Sequence, residues 1–275
     1  MRKYIALITA ILAMASQVSA QRADVSLTLA YGTFVLGEPV IIQAKMMNML
    51  RGALDFGDAS DDKFLIEVSK NDRYNELTPE TDQPFIKPIT LAVGASFEHT
   101  LEIDKWFHLY DTGKYLIRAV IVHNDMRYES AVKSFDVVPG LPIKDGVQMF
   151  AGKQRFQRNF KLVRWTRNQF DRLFLRIEDE PTGKIWDSID LGQFVRGTEP
   201  KLDIAPTGEV SVFHRANPDS FIQTVIWSLS DNVEISERNA LLDPAAVNAQ
   251  QMRSVYGDMT EKTEEKKASW WKFWQ

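Results

Sequence analysis

The chain contains no cysteine. Disulfide staples, thiolate metal sites and thioether-linked lipid are therefore excluded, and whatever holds this protein together is packing rather than crosslinking. Histidine is almost as scarce. His99, His108, His123 and His214 are the only four, no two have the spacing of a metal pair on one helix or strand, and the acids beside them are scattered. No metal site is expected. No Gly-x-Ser-x-Gly elbow, phosphate-cradling glycine loop or Ser-x-x-Lys motif is present either. Carboxylate groups such as Asp61-Asp62 and Glu178-Asp179-Glu180 sit among turn residues, which favours solvation over glycosidase chemistry. The expectation is a protein without catalytic residues, cofactor or metal.

Long apolar runs are missing as well, apart from one near the start. Arg2 and Lys3 lead into Tyr4 to Ala15, and Val18-Ser19-Ala20 supplies small residues at the −3 and −1 positions of a peptidase site. This pattern predicts a signal peptide over residues 1–20 cleaved after Ala20, since the run is shorter than the ~20 residues a membrane span needs. Export without any cysteine fits a bacterial envelope protein, periplasmic or secreted, large enough to rely on packed cores.

Excess positive charge is also lacking. Once Arg2 and Lys3 leave with the signal, 31 basic residues face 37 acidic ones, a net formal charge of −6. That opposes attraction to nucleic acid, which is not expected as a partner. The charge is unevenly spread: Asp24 to Asp136 holds 18 acids and 11 bases, whereas Pro139 to Ala240 holds 14 of each. A shift of this kind predicts two domains with different surfaces, residues 24–138 and 139–240.

What is present is strand pattern. Val25 to Leu29 has period two, and Pro39 to Ala44, Phe64 to Val68, Ile89 to Val93, Phe97 to Ile103, Gly113 to His123 and Ala131 to Val138 follow as further short strands. Residues 52–62 and 72–84 read as loops, and His123-Asn124-Asp125 as a hairpin turn. The stretch Leu109-Tyr110-Asp111-Thr112-Gly113-Lys114-Tyr115 resembles the corner of immunoglobulin-like sandwiches, where an aromatic and an Asp-x-Gly turn precede a central strand with an inward tyrosine. Leu36-Gly37-Glu38-Pro39-Val40 resembles the turn into the second strand of bacterial immunoglobulin-like modules. The resemblance implies a β-sandwich for this half and carries no catalytic residues.

Past residues 138–142, a linker by composition, the second half matches itself at an offset of 49. Val163 falls on Val212, Asn168 on Asn217, Leu173 on Ile222 and Ile177 on Ile226. Strands are expected near 161–166, 172–178 and 184–190, then 210–215, 221–228 and 233–237, as two small meanders. Glu199 to Phe213 resembles β-propeller blade sequence, in which strand, turn and strand follow one another. Two blades cannot close a propeller. The fold class expected is thus all-β: an immunoglobulin-like sandwich, then a small antiparallel blade-like domain, a short C-terminal helix from Asp243 to about Tyr256, and a flexible tail within residues 241–275.

Two features carry candidate function. Arg155, Arg158, Lys161, Arg164 and Arg167 recur every three residues, with Phe156, Phe160 and Trp165 between them. Bases interleaved with aromatics suit an anionic polymer, which makes Arg158, Lys161, Arg164 and Trp165 candidate contacts for an anionic ligand such as a polysaccharide. A step of three on a strand sends successive side chains to opposite faces, however, so the series cannot form one stripe. The second feature is the ending Trp270-Trp271-Lys272-Phe273-Trp274-Gln275, four aromatics in six residues after a Glu/Lys-rich stretch. These residues suit docking to an envelope protein or to a membrane interface, where Trp and Lys are favoured. Trp106, Trp165, Trp186 and Trp227 could form a sugar platform, although core packing accounts for most such residues. The function expected is non-enzymatic recognition in the envelope, with carbohydrate binding or modification, and a chaperone that captures a client strand on a sheet edge, as alternatives.

Overall fold

The computed structural model describes residues 22–57, 60–72, 75–150 and 156–243. The signal sequence, Arg155, the expected helix after Asp243 and Trp270 to Trp274 lie outside the described residues. The chain divides after Val138 into two compact units. Strands are the dominant element and there is no α-helix among the described residues, so the all-β expectation holds.

In the first unit, ten strands arise from short alternating segments. They are β1 (Ala23–Leu29), β2 (Thr33–Val35), β3 (Ile41–Asn48), β4 (Leu54–Asp55), β5 (Lys63–Lys70), β6 (Thr90–Leu91), β7 (Ser96–Glu102), β8 (Gly113–His123), β9 (Met126–Glu129) and β10 (Lys133–Val138). One sheet runs β1-β3-β7 and the other β2-β10-β8-β5, with β9 also on β8. The pair β2 and β10 is parallel, whereas all other pairs in this unit are antiparallel. Alternation is strict where a sheet has one wet face. Along β3, Ile42, Ala44, Met46 and Asn48 are buried and their neighbours exposed. Inward residues of both sheets, among them Leu27, Ile42, Met46, Ile66, Val68, Ile117, Ala119 and Phe135, form one core.

Tyr115 anchors the corner before β8. Its ring is fully buried against Phe135, and its hydroxyl donates to the carbonyl of Asp111 at 2.8 Å. This is the tyrosine corner the motif implied, with the hydroxyl tied to backbone four residues upstream. Asn124 and Asp125, both at positive φ, turn β8 into β9.

Among its described residues, the second unit forms two consecutive four-stranded meanders. The first is β11 (Leu141–Phe150), β12 (Phe156–Arg167), β13 (Phe170–Glu180) and β14 (Lys184–Gln193), and the second is β15 (Lys201–Ile204), β16 (Glu209–Asn217), β17 (Ser220–Ser228) and β18 (Val233–Leu242). Each sheet is antiparallel with its strands in chain order. Phe160, Leu162, Leu173, Leu175 and Ile177 of one sheet cluster with Val210, Val212 and Ile226 of the other, so the core lies between them. At Gly146 on β11 the opposite sheet comes so close that an added Cβ would stand 2.6 Å from the Ile204 side chain. β11 begins within the stretch 138–142 read as linker and was not among the expected strands, although Ile143, Val147 and Met149 keep period two.

Candidate functional site

Strand parity decides what the basic series of β12 can do. Phe160 and Leu162 point into the core between the sheets, and Arg158 and Arg164 share their parity. Arg158 is consequently carried inside, with no solvent exposure. Its partner in register on β13 is Asp179. The guanidinium meets that carboxylate through both oxygens, Nε to Oδ1 at 2.7 Å and Nη2 to Oδ2 at 3.1 Å. Nη1 donates to Ser228 Oγ at 3.0 Å and to the Leu229 carbonyl at 2.5 Å, which belong to the other sheet and the turn after it. Phe150, Phe156 and Trp186 surround the cation, the Trp186 ring centre lying 4.5 Å from Cζ. Trp186 in turn donates its indole N–H to Asp179 Oδ2 at 2.7 Å. Nη2 also reaches the Ser230 carbonyl at 3.4 Å, so Asp179 holds Arg158 within its own sheet while Ser228, Leu229 and Ser230 tie it to the other sheet and the turn after it.

The remaining members of the series diverge. Lys161 points to the opposite face of the sheet, where its ammonium is held by Glu178. Arg164 lies at the far end of β12 with Nη1 3.6 Å from Asp171 Oδ2. Asp171 also accepts from Thr166 Oγ1 and from Arg196, and the Arg196 guanidinium, aided by Thr166, holds its carboxyl down to about 2. Trp165, in register with Arg172, is half-buried. The four candidates are therefore split between two faces and two ends of one strand and do not meet.

The histidines are equally separate, and among the described residues no group of three metal-ligating side chains exists. His123 Nδ1 lies 2.7 Å from Asp62, and its Nε2 faces the Asn124 amide at 2.9 Å. His214 is buried beneath Phe194 with Nε2 3.2 Å from the Gln193 carbonyl, and burial pushes its pKa down to about 4. Of the tryptophans, Trp106 and Trp186 are half-buried and donate their indole N–H groups to the Gln83 carbonyl and to Asp179. Only Trp227, of the four, is classed as exposed.

Sheet edges offer a surface the residue motifs did not single out. β18 pairs with β17 on one side, and among the described residues no strand pairs with its other side. Nine of its ten residues, Glu234 to Leu242, are exposed, including Ile235 at 48%, Leu241 at 43% and Leu242 at 68%. A long edge with open backbone groups and apolar side chains is a template for another extended chain, and soluble proteins normally blunt such edges. Here Glu234, Glu237 and Arg238 supply charge, and a bulge interrupts the pairing between Val225 and Ile226. The alternation that would have revealed β18 as a pairing strand was visible in sequence only to Glu237.

No protein family and no curated protein matches the chain. Among solved structures, the sporulation control protein of Bacillus subtilis aligns with 87% of this chain and 98% of its own length, at 8% identity and a TM-score of 0.29. The alkylpurine DNA glycosylase of Pseudomonas fluorescens, bound to DNA containing an abasic site analogue, aligns with 42% of this chain at 10% identity and a TM-score of 0.28. This chain spans 30% of the glycosylase structure's length. Superpositions as loose as these transfer neither fold nor activity.

Proposed function

We propose that this is a non-enzymatic, exported protein of the bacterial envelope whose second unit binds a partner protein by accepting an extended segment of it along β18. The observation that supports this reading is the ten-residue outer strand with its apolar, solvent-facing residues Ile235, Leu241 and Leu242. Strand addition takes affinity from backbone hydrogen bonds and specificity from alternate side chains, so it needs no pocket and no reactive group. The scattered histidines and the internally paired Arg158 and Asp179 are in keeping with a scaffold that recognises rather than reacts. Trp270, Trp271, Lys272, Phe273 and Trp274 then serve as a second attachment, to an envelope protein or to the membrane interface.

The test is site-specific photocrosslinking in cells, with a photoreactive amino acid replacing Asn239 on β18. A discrete crosslinked species that disappears when Ile235→Lys and Leu241→Lys are added supports the reading, and the same species from a photoreactive residue at Lys184 refutes it. Deleting residues 270–275 and comparing soluble with membrane fractions tests the tail separately. Unchanged fractionation removes its role as an attachment.

A further inference from the structure

The face of the first meander turned away from the core carries a row of side chains in register across all four strands. Asp145 of β11 stands opposite Lys161 of β12, Lys161 opposite Arg176 of β13, and Arg176 opposite Ser188 of β14. Two cations directly opposite each other repel, so a sheet holds them only where something negative is supplied. Glu178 supplies part of it, pairing with Lys161 and bringing Oε2 to 3.2 Å from Arg176 Nε. That approach is not in hydrogen-bonding line, and Nε keeps no hydrogen-bond acceptor although Arg176 is only 9% exposed. Nη1 donates to the Pro139 carbonyl at 3.0 Å. Ser188 is buried too, and its hydroxyl has no partner. Buried polar atoms of this kind are rare in folded proteins and ask for a reason.

Beside the row the chain leaves a cavity of about 390 Å³, lined by Pro142, Ile143, Lys144, Lys161, Val163 and Arg176 together with Pro139, Gly140 and Asp145. Its volume falls within the roughly 300–1,000 Å³ usual for small-molecule sites. Lys144, Lys161 and Arg176 are matched by Asp145, Glu178 and Glu199, the last 3.7 Å from Lys144 Nζ, so the pull on an anion comes from the Arg176 Nε that has no acceptor and not from net charge. Pro142, Ile143 and Val163 give it an apolar wall. Burial lowers the proton affinity of Arg176, a penalty that an anion seated beside it would offset.

We propose that this cavity binds a small amphiphilic oxyanion, its carboxylate or phosphate head between Lys161 and Arg176 and its short apolar body against Pro142, Ile143 and Val163. The guanidinium offers a fork to two oxygens, and the ammonium ions of Lys161 and Lys144 offer point charges. The site is independent of β18 and shares no residue with it, so each can fail without the other.

Calorimetric titration of the mature chain with hexanoate, hexyl phosphate and inorganic phosphate at low ionic strength tests the site. Saturation by hexanoate or hexyl phosphate at one site per chain, at least 5-fold tighter than inorganic phosphate, is expected, and the head that saturates identifies the ligand class. Lys161→Gln and Lys144→Gln should each weaken binding, Lys161→Gln by about 10-fold or more, while Lys184→Gln on β14 leaves it unchanged. Arg176→Lys, which keeps the charge and removes the fork, should weaken it less than Arg176→Gln. Circular dichroism and melting of each variant separate lost binding from lost fold, and the two half-buried lysines keep the test sound if Arg176 variants unfold. No saturable binding by either amphiphile, or full affinity in folded Lys161→Gln and Lys144→Gln, overturns the proposal.

Discussion

Replacing Asp179 by leucine should be among the most damaging single changes in the second unit. Arg158 would keep its acceptors on Ser228, Leu229 and Ser230 but lose both oxygens of its counterion, and Trp186 would lose the acceptor of its indole N–H. Breaking a buried ion pair by removing one partner costs about 3–5 kcal/mol, because the remaining charge stays desolvated. The lost indole bond adds about 1 kcal/mol. Against a total stability on the order of 5–15 kcal/mol, that is enough to unfold much of the unit at moderate denaturant. The double variant Arg158→Met with Asp179→Leu removes both charges and places two apolar side chains among Phe150, Phe156 and Trp186. It should recover more than half of the loss, since exchanging a whole buried pair for packing is often close to neutral. Urea unfolding followed by tryptophan fluorescence measures both. If Asp179→Leu shifts stability by less than about 1 kcal/mol, or if the double variant is less stable than the single, the Arg158–Asp179 pair is not a main support of this unit.

Two further changes probe other parts of the structure. His214 has a folded pKa of about 4, below its usual 6.5, so the folded state favours the neutral ring. Its contribution is fully present above pH 6.5 and is lost as pH falls toward 4, by about 3 kcal/mol for a shift of this size. His214→Gln should therefore flatten the fall in denaturation midpoint between pH 7 and 4.5, and an unchanged slope would count against a buried neutral histidine. Tyr115→Phe deletes the hydroxyl that donates to the Asp111 carbonyl and should destabilise the first unit by about 0.5–1.5 kcal/mol. Burial, with Asp111 nearby, pushes the Tyr115 phenol up to about 12, so ultraviolet titration should show a late-ionising tyrosine in the wild type that is missing from the variant, where Tyr110, also raised by burial, remains.

Much of the fold could be read from local pattern. Gly113 to His123 is a strand over the very residues its alternation marked, and Asp111 to Tyr115 forms the corner its motif implied. The offset of 49 that set Asn168 on Asn217 corresponds to the β12–β13 and β16–β17 hairpins of two like meanders. What escaped were elements defined by pairing with distant chain. β2 is three residues long and exists because β10 lies parallel beside it. β4 and β6 are two residues each and have no period to detect. β11 hides proline and glycine in an outer strand, where an absent N–H and a bare Cα are tolerated.

The sequence by itself determined the all-β class, because period-two alternation is a local property that each segment carries independently of the rest. It also determined that Arg158 and Lys161 must part company, since a step of three reverses the face of a strand. Only the tertiary structure decided which face was inside. Once Phe160 and Leu162 buried themselves against Val210, Val212 and Ile226, Arg158 had to follow them in and find Asp179, while Lys161 was left outside beside Arg176. The same collapse left β18 as an outer strand and an open cavity at Pro142 and Val163. Burial is a sum over contacts between remote segments, so no window of sequence contains it.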